Sequence, residues 1–125
     1  MDSIKQNKIC QFEVWQVNLN PTKGSEQKGI RPCIVLQTNA VSDFGLTTII
    51  APLTGRKIDN IYPYEIKILP TEKNGLKETS KAKFDQVRVI DKTRLIKKIG
   101  SLEEKYYNSI INCLNIIFDL HGDFR

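Results

Sequence analysis

The sequence predicts a mainly β domain, a small barrel or strongly bent sheet, closed by a single C-terminal α-helix. Three observations carry this. Five short runs rich in β-branched or aromatic residues follow one another closely, separated by Asn, Asp, Gly or Pro. The last quarter of the chain changes from a two-residue to a helical apolar period. The length, 125 residues, suits one domain with a working core and leaves little room for a second.

Taken in order, residues 1–10 are polar and aperiodic and read as a loose leader, leaving 11–121 as the domain. Residues 12–19 alternate, with Phe12, Val14 and Gln16 on one face and Glu13, Trp15, Val17 and Leu19 on the other. The larger apolar set predicts the inward side. Between this strand and the next lies NPTKGSEQKGIRP, dense in turn and charged residues. Gly24 and Gly29 open conformations closed to other residues, Pro32 biases Arg31 towards an extended backbone, and Ile34 to Leu36 are predicted to be buried. Further strands are expected at residues 33–37, 47–53, 64–69 and 84–90. Ser101 and Glu104 match a capping box, and Tyr107, Ile110, Ile111, Leu114, Ile117 and Phe118 recur at helical spacing, giving a helix over about 102–120 that packs on the sheet.

The 19 Lys and Arg outnumber 14 Asp and Glu, for a net charge of +5 and a pI near 9.2, which favours an anionic partner such as nucleic acid or an acidic peptide. Cys10, Cys33 and Cys113 cannot all pair within the chain and have no metal-ligand spacing, so a reducing cytoplasm and no metal site are expected. No apolar run approaches the length of a membrane span, and no signal-peptide core follows the start. With one histidine, His121, there is no Ser/His/Asp triad or His pair, and no glycine-rich phosphate loop of the GxxxxGK(S/T) or GxGxxG type occurs.

Any chemistry therefore falls to Arg, Lys, Thr, Asp or Glu. Arg31 stands at a strand mouth, where its five fixed donors suit a phosphate; the plainer reading is a salt bridge to Glu26 or Asp85. Thr54 ends the run TTIIAPLTG, where its hydroxyl can donate to a phosphate oxygen or satisfy a local backbone group. Lys81, Lys83, Asp85, Gln86 and Arg88 read as one face of a strand with a bulge or edge, either solvated or a strip of phosphate donors with one carboxylate.

At these residues the sequence resembles the MazF/PemK/Kid family of toxin endoribonucleases from bacterial toxin–antitoxin pairs. The match runs in order through NPTKGSEQKGIRP, the strand ending at Pro52 and Thr54, Tyr62-Pro63-Tyr64-Glu65, Asp85-Gln86-Val87-Arg88 and the final helix. The resemblance implies an SH3-like small barrel of the CcdB/PemK kind, a homodimer, an acidic antitoxin partner, and metal-independent, cofactor-free, sequence-specific cleavage of single-stranded mRNA to 2′,3′-cyclic phosphate and 5′-hydroxyl ends. Its key arginine falls on Arg31 and its threonine on Thr54. Asp85 matches an aspartate of some members, and Lys83 stands where some carry arginine. Glu26 and Asp85 are the candidate proton acceptors. Asn20, Thr22, Lys23, Ser25 and Lys28 in the loop, with Lys83, Gln86 and Arg88, are the expected RNA contacts. Many members have Gly-Asp at the start of the first strand, where this chain has Phe12-Glu13. Two non-enzymatic alternatives share the fold class: a CcdB-like gyrase-binding toxin and an inactive SH3-like binding module.

Overall fold

The computed structural model describes residues 8–120 and 122. Seven strands are formed: β1 (Glu13–Asn18), β2 (Ile30–Val35), β3 (Thr47–Thr54), β4 (Glu65–Ile68), β5 (Ser80–Lys83), β6 (Arg88–Asp91) and β7 (Leu95–Ser101). A short helix, α1 (Asn39–Ser42), joins β2 to β3, and α2 (Tyr107–Phe118) ends the domain. Every pairing is antiparallel, in the order β4-β5-β3-β2-β1-β7, with β6 on β3.

Strand β3 is the pivot of the sheet. Thr47 to Ile50 pair with β6, Leu53 and Thr54 pair with β5, and β2 runs alongside with Cys33 opposite Pro52. A strand that changes partner along its length sends its two neighbours in different directions, which bends the sheet. Pro52 has no N–H for a ladder and stands between the two paired stretches.

The bend creates a core on each side. Val14, Ile34, Leu53, Phe84 and Ile110 belong to one; Ile9, Trp15, Val17, Leu19, Cys33, Ile50 and Ile90 belong to the other. Strand β1 is thus buried on both faces, not on the single inward face its alternation suggested. Ile9, assigned to the leader from sequence, is 1% exposed in the second core; residues 1–7 of that leader lie outside the described residues, as does His121.

Other boundaries also differ from expectation. The expected strand over 84–90 is interrupted: Phe84–Gln86 is a 3-10 turn that drives Phe84 inward, and β6 begins only at Arg88. Strand β5 reads as polar in sequence, yet Lys81 is buried because Glu65 of β4 neutralises it. Strand β7, rich in lysine, is an edge of the sheet. The capping box does not form. Ser101 is used by β7, paired with Glu13, a 3-10 turn covers Glu104–Tyr106, and α2 starts at Tyr107 without a side-chain cap. Ile110 and Cys113 are the buried residues of α2, and Leu114 and Ile117 pack against the first core.

Candidate active site

Thr54 at the end of β3 and Arg31 near the start of β2 share one cleft. Continuing the β2–β3 register by two residues sets them opposite each other. Arg31 donates from Nε to the Lys28 carbonyl at 2.9 Å and from Nη1 to the Leu53 carbonyl at 3.2 Å, which ties the guanidinium to the loop and to the end of β3. It pairs with neither Glu26 nor Asp85. Among the described residues the ion pairs are Lys81–Glu65, Lys83–Glu65 and Lys98–Glu13, so the charge of Arg31 is not cancelled by a carboxylate. Thr54 is 5% exposed, and its Oγ1 accepts from the Arg56 N–H at 3.2 Å. The local backbone role anticipated for this hydroxyl is therefore real, while its own proton remains available to donate.

The cleft has a volume of about 350 Å³ and includes Lys77, Glu78 and Lys97 along with Arg31 and Thr54. Glu78 was not singled out in sequence, since nothing local marks it. Its carboxylate lies over Gly55, so close that a Cβ at position 55 would meet it at 2.6 Å. A side chain at position 55 would turn the flexible, exposed Glu78 carboxylate away from this place.

The two carboxylates foreseen as proton acceptors are elsewhere. Glu26 and Asp85 line an adjoining groove of about 650 Å³ with Ser25, Gln27, Gln86 and Arg88. Several expected RNA contacts hold this groove together. Gln86 accepts from the Gln27 N–H at 2.9 Å and donates to the Ser25 carbonyl at 3.2 Å, clamping the β1–β2 loop onto the 3-10 turn. Arg88 donates to the Leu19 carbonyl at 3.1 Å, and Asn20 accepts from the Gly29 N–H at 3.1 Å. Glu26 accepts from the Lys23 N–H at 2.7 Å within the loop, and Gly24 and Gly29 take positive φ angles of 59° and 80°. Lys23 and Lys28 are exposed, and Thr22 is half-buried.

A third cavity, about 680 Å³, joins the two: it shares Thr54 with the cleft and Gln27 with the groove, and adds Arg56, Lys57, Lys81 and Lys83. Two of its lining residues, Lys81 and Lys83, are bound to the carboxylate of Glu65, whose side chain is fully buried. Lys81 and Lys83 each reach it at 3.0 Å and the Tyr62 N–H donates at 3.0 Å. Burial pushes the Glu65 carboxyl up, but the Tyr62 N–H and the two ammonium groups more than offset this and hold it below its ordinary value. Lys83 is therefore a tethered cation, and the expected single face through Lys81, Lys83 and Asp85 is split by this ion triad. Cys33 offers no nucleophile, because burial pushes its thiol up to about 12 despite the nearby Arg31 and Arg88.

At the start of β1, Phe12 takes a φ of 70° and stacks on Tyr107 at 4.2 Å. Glu13 accepts from the Cys10 N–H and the Trp15 Nε1–H, each at 2.9 Å, and pairs with Lys98 at 3.0 Å. Neither Phe12 nor Glu13 lines the cleft.

Residues 10–118 match the family of PemK-like, MazF-like toxins of type II toxin–antitoxin systems. The endoribonuclease MazF of Staphylococcus saprophyticus is 33% identical over 109 residues, covering 87% of this chain and 90% of the relative. Among solved structures, MazF from Deinococcus radiodurans superposes with a TM-score of 0.76 at 22% identity, covering 90% of this chain and 97% of that one. A mycobacterial endoribonuclease in complex with its cognate antitoxin does so at 0.74 and 16% identity, covering 92% and 99%. These two support the fold. The fold, the cleft and the family match together define a MazF-like endoribonuclease. The chain belongs to the PemK-like, MazF-like toxins of type II toxin–antitoxin systems, which favours the enzymatic reading over the gyrase-binding and binding-module alternatives.

Proposed function

We propose that the chain cleaves single-stranded mRNA at short sequence motifs, without a metal, by transesterification in the Arg31–Thr54 cleft. The 2′-hydroxyl attacks the adjacent phosphorus, the bond to the 5′-oxygen breaks, and the products carry a 2′,3′-cyclic phosphate and a 5′-hydroxyl. The observation that carries this reading is the Arg31 guanidinium, bonded to the Leu53 carbonyl of β3, sharing the cleft with Thr54 and paired with no carboxylate among the described residues. Charge grows on the phosphoryl oxygens as the pentavalent phosphorane forms, and fixed donors at that place stabilise it without reorganising. RNA is the substrate because the attacking group is the 2′-hydroxyl.

The proton acceptor is a carboxylate of the cleft or the groove: Glu78 shares the cleft with Arg31, and Glu26 and Asp85 line the groove beyond Gln27. The amide variant that removes the acid limb of the pH–rate profile identifies it. The reading as a whole is tested by incubating the purified chain with a defined RNA in EDTA and characterising the ends. Dependence on added metal, or 3′-hydroxyl ends, refutes it.

The partners follow from the same surface. An acidic antitoxin segment neutralises the cationic cavity, the chain pairs with a second copy through its exposed apolar faces, and it works in the reducing cytoplasm, where three unpaired cysteines are stable. No helix among the described residues is long and apolar enough to cross a membrane.

A further inference from the structure

The cavity between Gln27 and Lys83 contains more cationic surface than the cleavage step uses. Arg56 and Lys57 are exposed at its rim and pair with no carboxylate among the described residues. Lys57 has a φ of 53°, a left-handed turn that sets the loop's direction. Beside the cavity stands an aromatic pair: the rings of Tyr62 and Tyr64 are parallel to within 3° with centroids 5.6 Å apart, and Tyr62 remains 46% exposed. Lys81, which lines the cavity, sits 5.6 Å from the centre of the Tyr62 ring. Burial and the neighbouring Asp85 and Glu65 charges raise the Tyr64 hydroxyl above its ordinary value, while Lys83 acts in the opposite sense. The pairing with Glu65 fixes the cavity's Lys81 and Lys83, and Thr54 belongs both to this cavity and to the cleft.

We propose that this cavity is a nucleotide subsite next to the scissile phosphate, in which Arg56 and Lys57 hold a flanking RNA phosphate while Tyr62 and Tyr64 form the platform on which its base stacks. Preformed parallel rings suit a base because every base presents a π-face, and rim cations suit the backbone that joins it to the next nucleotide. The shared Thr54 sets the distance: one nucleotide's phosphate in the cleft leaves its neighbour over the cavity. The subsite rests on the cleavage reading above for its place in the reaction, but not for its ability to bind RNA.

The test uses an RNA with a mapped cleavage position, replaced at one nucleotide at a time by an abasic residue, against the parent chain, Tyr62→Leu and Tyr64→Leu. Loss of the stacked base slows single-turnover cleavage by the parent on the order of tenfold at one position adjacent to the cut, and costs the tyrosine variants almost nothing more there. In parallel, binding of the same RNA made uncleavable by a 2′-deoxy nucleotide is followed against salt. Arg56→Ala combined with Lys57→Asn, which tolerates the left-handed backbone, flattens the slope of log affinity by about 0.7 for each phosphate that is no longer neutralised. If abasic penalties are the same in parent and tyrosine variants at every position and the salt slope is unchanged, the subsite is refuted. If the parent binds but does not cleave, the cleavage reading fails and the salt slope still decides the subsite. A leucine variant that melts early leaves that slope as the deciding measurement.

Discussion

At the scale of single residues, the proposed cleavage has Arg31 and Thr54 act on the substrate with little part in holding the fold. Arg31→Ala removes the charge facing the phosphorane and lowers single-turnover cleavage by on the order of 10² or more. Thr54→Ala deletes one neutral donor and one local acceptor, slows cleavage substantially, and costs about a kilocalorie per mole of stability or less. Rate and melting curve measured on the same preparations separate catalysis from folding: a variant that cleaves at the parental rate is not catalytic. Phe12 poses a different question, because its φ of 70° strains a non-glycine backbone while its ring packs on Tyr107. Phe12→Ala loses the ring and keeps the strain, whereas Phe12→Gly loses the ring and relieves it. Denaturant melts should therefore find the glycine variant the more stable of the two by about 1 kcal/mol; the reverse order would show that backbone strain does not govern this corner.

At the scale of elements, the β4–β5 pair is locked by a carboxylate between two lysines. Removing that carboxylate as Glu65→Gln leaves Lys81 buried without its counter-charge and should cost about 3 kcal/mol or more, read as a lowered melting temperature. The sign of the pH dependence follows from the direction of the shift. The Glu65 carboxyl titrates in the folded chain below its ordinary value of 4.5, so between those two values the unfolded chain binds more protons. Its contribution is complete above pH 4.5 and is lost as the pH falls through the lowered value. Melting temperatures of the parent should drop over that interval, and Glu65→Gln should show a shallower drop. Equal acid slopes in the two proteins would assign the loss to other carboxylates such as Glu13, which is also lowered.

At the scale of the whole molecule, apolar surface is left outside the two cores. On α2, Ile111 and Phe118 are 52% and 55% exposed, seven residues apart on one face, and Ile116 is 50% exposed nearby. Such surface is covered by a two-fold contact in the proposed homodimer. Light scattering at micromolar concentration should give twice the 14.3 kDa chain mass, and Ile111→Glu should shift it towards the monomer. A parent that remains at 14.3 kDa refutes pairing. The cationic cavity makes a second demand on the assembly: an acidic antitoxin peptide and a non-cleavable RNA should compete for one surface. Independent, simultaneous binding would replace occlusion by an allosteric route.

Local sequence was enough for the fold class, the burial of Ile34 to Leu36, the apolar stripe of the last helix, and the place of Arg31 at a strand mouth. Each of these is written in neighbouring residues: alternation, helical spacing, glycines beside a charged loop, a proline after an arginine. The features that emerged only on folding involve residues far apart in the chain. Lys81 reads as solvated surface until Glu65, on the paired strand β4, is placed against it and neutralises it. Gln86 reads as one of a strip of polar residues, and only the folded chain shows its amide clamping Ser25 and Gln27. Ser101 reads as a helix cap, but β1 claims it as a strand partner. Glu78 carries no signal at all, because its closeness to Gly55 and Thr54 arises where β3 and the segment before β5 converge. Local pattern reports which conformations a segment favours. The state of a charge, and the cleft a side chain enters, depend on what the folded chain brings opposite it.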